Sequence, residues 1–141
     1  METRNVANDP LPDYGYNARL PGVSLAEAKR RVTEALKEQG FGVLTEIDVQ
    51  ATLKAKLGID FRPYVILGAC NPALAERALA ADLGVGLLLP CNVCLWEDAG
   101  GTVVSLVKPE AMLEAAASPS LRPIADEAGR RLRAVQERIA K

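Results

Sequence analysis

The stretch Tyr64-Val65-Ile66-Leu67-Gly68-Ala69-Cys70-Asn71-Pro72 decides how this chain folds. From Tyr64 to Ala69 the residues are uncharged and apolar at successive rather than alternate positions, which reads as a central strand packed on both faces, by helices or other structure. The chemistry then switches within two residues. Asparagine is a favoured N-cap and proline a favoured first helical residue, so Asn71 and Pro72 open a helix running through Leu74, Ala78 and Leu79 to Gly84. Cys70 therefore sits at the joint between a buried strand and a helix start.

Upstream, about Gly42 to Ile47 reads as a second strand, followed by Asp48 as N-cap of a short helix with Val49, Leu53 and Leu57 in one row and Gly58 as its stop. Further back, Tyr14, Tyr16, Ala18 and Leu20 alternate with Gly15, Asn17 and Arg19, the period of a half-buried strand that Pro21-Gly22 ends. Ser24-Leu25-Ala26-Glu27 has the form of a capping box, with the glutamate reaching back to the serine amide. The helix it opens carries Leu25, Ala28, Val32, Ala35 and Leu36 on one stripe and stops at Gly40; Glu27–Arg31 and Arg30–Glu34 support it as surface pairs. Residues 1–12, polar with Pro10 and Pro12, read as a flexible arm before a single domain over 13–141.

Downstream, Pro90 marks a strand start or bulge because it lacks a ladder donor. Cys91 to Glu97 and Thr102 to Val107 form a hairpin across Asp98-Ala99-Gly100-Gly101. Lys108-Pro109 starts a short helical piece, and a last helix spans about Leu121 to Ala140. Gly129 inside that helix costs ~1 kcal/mol against alanine, so it marks either close packing or simple tolerance. The order is β-α-β-α-β-α-β-β-α, an α+β domain.

Composition narrows the function classes. With 17 basic and 18 acidic residues the net charge is −1, without the basic excess of many nucleic-acid binders, and Arg130, Arg131, Arg133 and Arg138 read as a solvated helix face. No nucleic-acid partner is expected. The longest apolar runs, such as Val85 to Leu89, are far too short for a membrane span, and Met1 to Asn8 lacks the apolar core of a secretory signal. Three cysteines, an odd number, point to a reducing cytoplasm rather than a disulfide framework. There is no histidine, which removes Ser-His-Asp and Cys-His pairs and every histidine-based zinc motif.

The chemistry left over lies in Cys70-Asn71-Pro72 and Pro90-Cys91-Asn92. A thiol at a helix N-terminus is favoured as thiolate, although free cysteine is also among the most buried residue types and serves as a small hydrophobe. Cys91-Asn92-Val93-Cys94 has C-x-x-C spacing, but in a strand these two cysteines face opposite ways with Cα atoms ~10 Å apart. A disulfide needs them within ~7 Å. Cys94 therefore reads as packing. Cys70 with Cys91 is the better pair: on neighbouring strands they would flank one pocket, with Asn71 and Asn92 supplying amide groups. Glu46 and Asp48 share a strand end, but Asp48 is more economically a cap than a catalytic carboxylate.

Taken together, Asp48 with the Leu53–Leu57-Gly58 row, Tyr64 through Pro72, and Leu89-Pro90-Cys91-Asn92-Val93 resemble the bacterial and archaeal family called domain of unknown function 302, over about Tyr14 to Ala140. The resemblance implies a curved, mainly antiparallel sheet of about five strands with helices packed on it, similar to the TATA-binding-protein-like arrangement, and a homodimer. It implies no activity and names no cofactor. Its family-like positions are Asp48, Cys70, Asn71, Pro72, Pro90, Cys91 and Asn92.

The expectation is therefore a non-catalytic domain binding a small molecule or a partner near Cys70 and Cys91. The alternatives are a redox or sulfur-transfer enzyme, with Cys70 reactive and Cys91 resolving or relaying, and soft-metal binding by the two thiolates with further ligands.

Overall fold

A computed structural model describes residues 10–141. Its elements run β1 (Gly15–Pro21), α1 (Leu25–Glu38), β2 (Gly42–Asp48), α2 (Val49–Leu57), β3 (Tyr64–Cys70), α3 (Pro72–Ala81), β4 (Cys91–Asp98), β5 (Gly101–Val107), α4 (Pro109–Met112) and α5 (Arg122–Ile139). Short 3-10 turns lie between α3 and β4 and between α4 and α5. The strands form one open five-stranded sheet in the order β1-β5-β4-β3-β2, and every pairing is antiparallel. The α+β class read from the sequence is what the chain adopts.

Local chemistry sets the boundaries. The Ser24 hydroxyl accepts from the Glu27 amide, Asp48 from Ala51 and Asn71 from Leu74, so α1, α2 and α3 start at side-chain caps. The capping box is only half built. The Glu27 carboxylate turns to Arg30 and Arg31 at 2.7 and 2.8 Å, because two guanidiniums on the next turn offer stronger charge-assisted bonds than the Ser24 amide. At its other end α2 stops at Gly58, which takes a left-handed conformation with φ 66°.

The alternation along the strands places the core. Tyr16, Ala18, Leu67, Ala69, Cys91, Val93, Leu95, Val104 and Leu106 face one way and pack against Ala28, Val32 and Leu36 of α1 and Leu132, Val135 and Ile139 of α5. A second, smaller core lies at the end of the sheet, where Leu74 and Ala78 of α3 meet Val85, Leu113 and Leu121 and the start of α5. Met112 packs against both.

The central strand departs from one expectation. On one face of β3, Val65, Leu67 and Ala69 join the core that α1 and α5 cover. Its other face, with Tyr64 and Ile66, is half-buried, and residues from the 10–14 and 58–63 segments lie against part of it. The apolar character on that side comes from a cross-strand aromatic cluster rather than a second helical layer.

The two sheet edges are treated differently. On β1 the Gln136 side chain of α5 donates to the Asn17 carbonyl at 2.7 Å, covering part of the edge. β2 is exposed along nearly its whole length, with Leu44 67% and Ile47 49% accessible, and α2 beside it buries no residue fully. Of the expected arm, residues 1–9 lie outside the described residues. At its end the Pro12 carbonyl accepts from the Gly15 amide and the Asn17 side chain, which ties Pro12 to β1.

Candidate functional site

β3 and β4 are neighbours, and in their register Ala69 lies opposite Cys91. Cys70, the last residue of β3, and Cys91, the first of β4, therefore reach the same end of the sheet. There they line one cavity of about 380 Å³. Its walls come from both cores: Phe41 and Leu44 from the α1–β2 side, Leu74 and Leu79 from α3, and Met112 and Ile124 from α4 and α5. Leu44 and Leu79 line it while remaining exposed, so the cavity opens to solvent beside them.

The residues around the two thiols are held tightly. Gly68 in the middle of β3 has no room for a side chain, because Thr45 from β2 and Pro90 crowd it; a Cβ there would stand 2.9 Å from Pro90 Cγ. Asn71 is buried and engaged at both its oxygen and its nitrogen. Its oxygen accepts from the Leu74 amide at 3.2 Å and its amide donates to the Gln39 carbonyl at 3.3 Å. Arg131 of α5 donates to that same carbonyl at 3.0 Å, so the end of α1, the start of α3 and the middle of α5 meet at one oxygen.

Electrostatics argue against a reactive Cys91. Burial, and secondarily the nearby Cys70, push its thiol up to about 11, so at neutral pH it is protonated. Cys94 lies on the opposite face of the sheet, against Tyr64, and burial raises its thiol as well. All three cysteines are free. The C-x-x-C spacing thus falls across the two faces of a strand, as the strand reading requires.

Of the seven positions singled out from the sequence, Cys70, Asn71, Pro90 and Cys91 line the cavity. Pro72 is the exposed first residue of α3. Asn92 pairs with Gly68 and is exposed, away from the cavity lining, so neither asparagine offers the free amide expected of it. Asp48 accepts from the Ala51 amide at 2.9 Å as the cap of α2, and Glu46 pairs with Lys29 at 2.9 Å. Among the described residues, no group of three or more His, Cys, Asp or Glu side chains is placed to hold a metal ion.

The comparisons with known proteins bear on the whole domain. The family model for "Domain of unknown function DUF302" matches residues 16–139. The chain belongs to the DUF302 family. Its fold is similar to a crystal structure described as an uncharacterized conserved protein DUF302 from Bacillus stearothermophilus, at 35% identity and a TM-score of 0.82, covering 90% of this chain and 98% of that one. No curated protein matches the chain. Membership in DUF302 thus accounts for the architecture, and the chemistry of this DUF302 domain has to be argued from its cavity.

Two groups of lining residues had no signal in the sequence. Leu44, Leu89, Met112 and Ile124 belong to four separate segments, and no local pattern announces that they converge. The aromatic residues Tyr64 and Trp96 read as strand residues, and their stacking needed the β3–β4 register to be known.

Proposed function

We propose that this DUF302 domain binds a small, largely apolar molecule in the cavity beside Cys70 and Cys91. The observation that carries the reading is the lining itself: among the described residues no charged side chain contributes to it, and the Asn71 side chain is engaged with backbone groups at both its oxygen and its nitrogen. A volume of about 380 Å³ falls within the range of small-molecule sites, which runs from ~300 to ~1,000 Å³. Apolar walls with two weakly polar sulfur side chains favour an aliphatic chain or ring over a charged metabolite, whose ion would be desolvated without a partner.

The thiol-enzyme reading is weaker, because a resolving or relaying Cys91 would have to act as thiolate from a site that keeps it protonated. Soft-metal binding lacks a third donor beside the two sulfurs among the described residues. The odd number of cysteines, three, supports our proposal of a reducing, cytoplasmic location. Among the described residues, no helix is long and apolar enough to cross a membrane.

The reading is tested by thermal unfolding with 1-alkanols of increasing length. Each added methylene buried in the cavity contributes ~0.8 kcal/mol, so affinity should tighten about fourfold per carbon until the space is filled. Ala75→Phe, which fills the cavity from α3, should abolish the stabilisation. A stabilisation that ignores chain length, or survives Ala75→Phe, overturns the reading.

A specific observation also favours a homodimer. Among the described residues β2 is an edge strand that pairs with β3 alone, and Leu44, Ile47, Leu57 and Ile59 stand exposed on β2, α2 and the loop after them. A second copy pairing edge to edge along β2 would cover these residues and continue the sheet.

A further inference from the structure

Four of the six aromatic side chains in the sequence, Tyr14, Phe61, Tyr64 and Trp96, line a second cavity, on the sheet face away from α1 and α5. Its volume is about 520 Å³. Tyr64 and Trp96 are direct cross-strand neighbours and stack, with centroids 5.5 Å apart and planes 10° from parallel. Phe61 leans on Tyr64 at 6.2 Å and 52°. A cross-strand aromatic pair stabilises a sheet by ~0.2–1 kcal/mol and accounts for Tyr64 and Trp96. It does not account for Phe61 and Tyr14 gathering round the same hollow, where all four rings keep part of their surface in solvent.

The polar groups of the hollow are divided between floor and rim. On the floor, Ser105 donates to the Asn17 side-chain oxygen at 2.6 Å and Cys94 lies against Tyr64. At the rim stands Arg62, the one charged residue among the described residues lining the cavity, its guanidinium carbon 6.0 Å from the centre of the Phe61 ring. Flat π-surfaces beside a single guanidinium match one ligand chemistry. A ring gains by stacking, and an anionic group gains a charge-assisted, forked hydrogen bond.

We propose that this second cavity binds a small planar aromatic anion, its ring laid against the Phe61–Tyr64–Trp96 cluster and its anionic group on Arg62. The site is separate from the thiol-lined cavity and, among the described residues, shares no lining residue with it. It stands or falls independently of the function proposed above.

Trp96 is the only tryptophan, so its indole N–H gives a single resonance that reports on the site. The experiment titrates 2-naphthoate into the ¹⁵N-labelled full chain and follows that resonance. The expected result is a saturable shift that Ala75→Phe leaves intact and that Arg62→Gln weakens about tenfold. Phe61→Ala should also weaken it. Neutral 2-naphthalenemethanol should bind the native chain about as weakly as 2-naphthoate binds Arg62→Gln, and non-planar cyclohexanecarboxylate should bind more weakly than 2-naphthoate. The proposal is overturned by the absence of a saturable shift at millimolar probe, by equal affinity in Arg62→Gln, by equal binding of cyclohexanecarboxylate, or by loss of the shift in Ala75→Phe. A resonance that moves with protein concentration alone would assign the face to a second copy and overturn it as well.

Discussion

At the scale of single residues, Cys91 and Asn71 show how the same sequence signature separates into different roles. Cys91 is held as a thiol by burial and by Cys70 beside it. Because its folded pKa stands above the ~8.5 of an unfolded cysteine, its contribution to stability is fully present below that value and is lost as pH rises towards about 11. Urea unfolding across pH 8–11 should show stability falling, and Cys91→Ala should flatten that slope. Tyr16 and Tyr64 are also pushed upward by burial and add to the same alkaline loss, so the slope is reduced rather than removed. Iodoacetamide at pH 7 should leave Cys91 unmodified in the folded chain, and rapid labelling there would contradict the assignment. Asn71→Ala removes the cap of α3 and the bond to Gln39, which should cost about 1–2 kcal/mol in urea unfolding. A loss under 0.5 kcal/mol would mean that water replaces both bonds at no cost.

At the scale of elements, the caps and periods were readable because each is local. Asn71-Pro72, Asp48 and Ser24 state where helices begin within three residues of chain, and the alternation along β1 follows from a period of two. What could not be read was which elements share a cavity, since that depends on strand order and on the packing of α3 against α5. Cys70 and Cys91 were recognisable as a pair only if their strands were adjacent, a condition the sequence poses and the register settles. Gly129 is the clearest case of meaning supplied by a neighbour. A Cβ there would lie 2.7 Å from Glu110 Oε2, the atom that accepts the Tyr16 hydroxyl at 2.6 Å. Gly129→Ala therefore gains ~1 kcal/mol of helix propensity but displaces a carboxylate whose hydrogen bond contributes ~1.5–3 kcal/mol. The expected result is net destabilisation of about 1 kcal/mol in the native background and stabilisation in Glu110→Ala. A double-mutant cycle reads the coupling, and equal effects in both backgrounds would contradict close packing.

At the scale of the whole molecule, the sheet has one helical layer, one aromatic face and two unlike edges. The β1 edge is partly covered by Gln136, and the β2 edge exposes Leu44 and Ile47. If a second copy pairs there, sedimentation should give a dimer, and Leu44→Glu with Ile47→Lys should yield a folded monomer. A chain that is monomeric at all concentrations contradicts the edge pairing. The cavity beside Cys70 and Cys91 lies where the two cores meet, and Met112 packs against both.

Met112 is also one of only two methionines in the sequence, so a methyl-labelled chain offers a direct view of the cavity. Titration of 1-octanol should move the Met112 methyl resonance saturably while the Trp96 indole resonance stays in place. If the Met112 methyl does not move, or moves equally in Ala75→Phe, the cavity is not the binding site and the central claim is wrong.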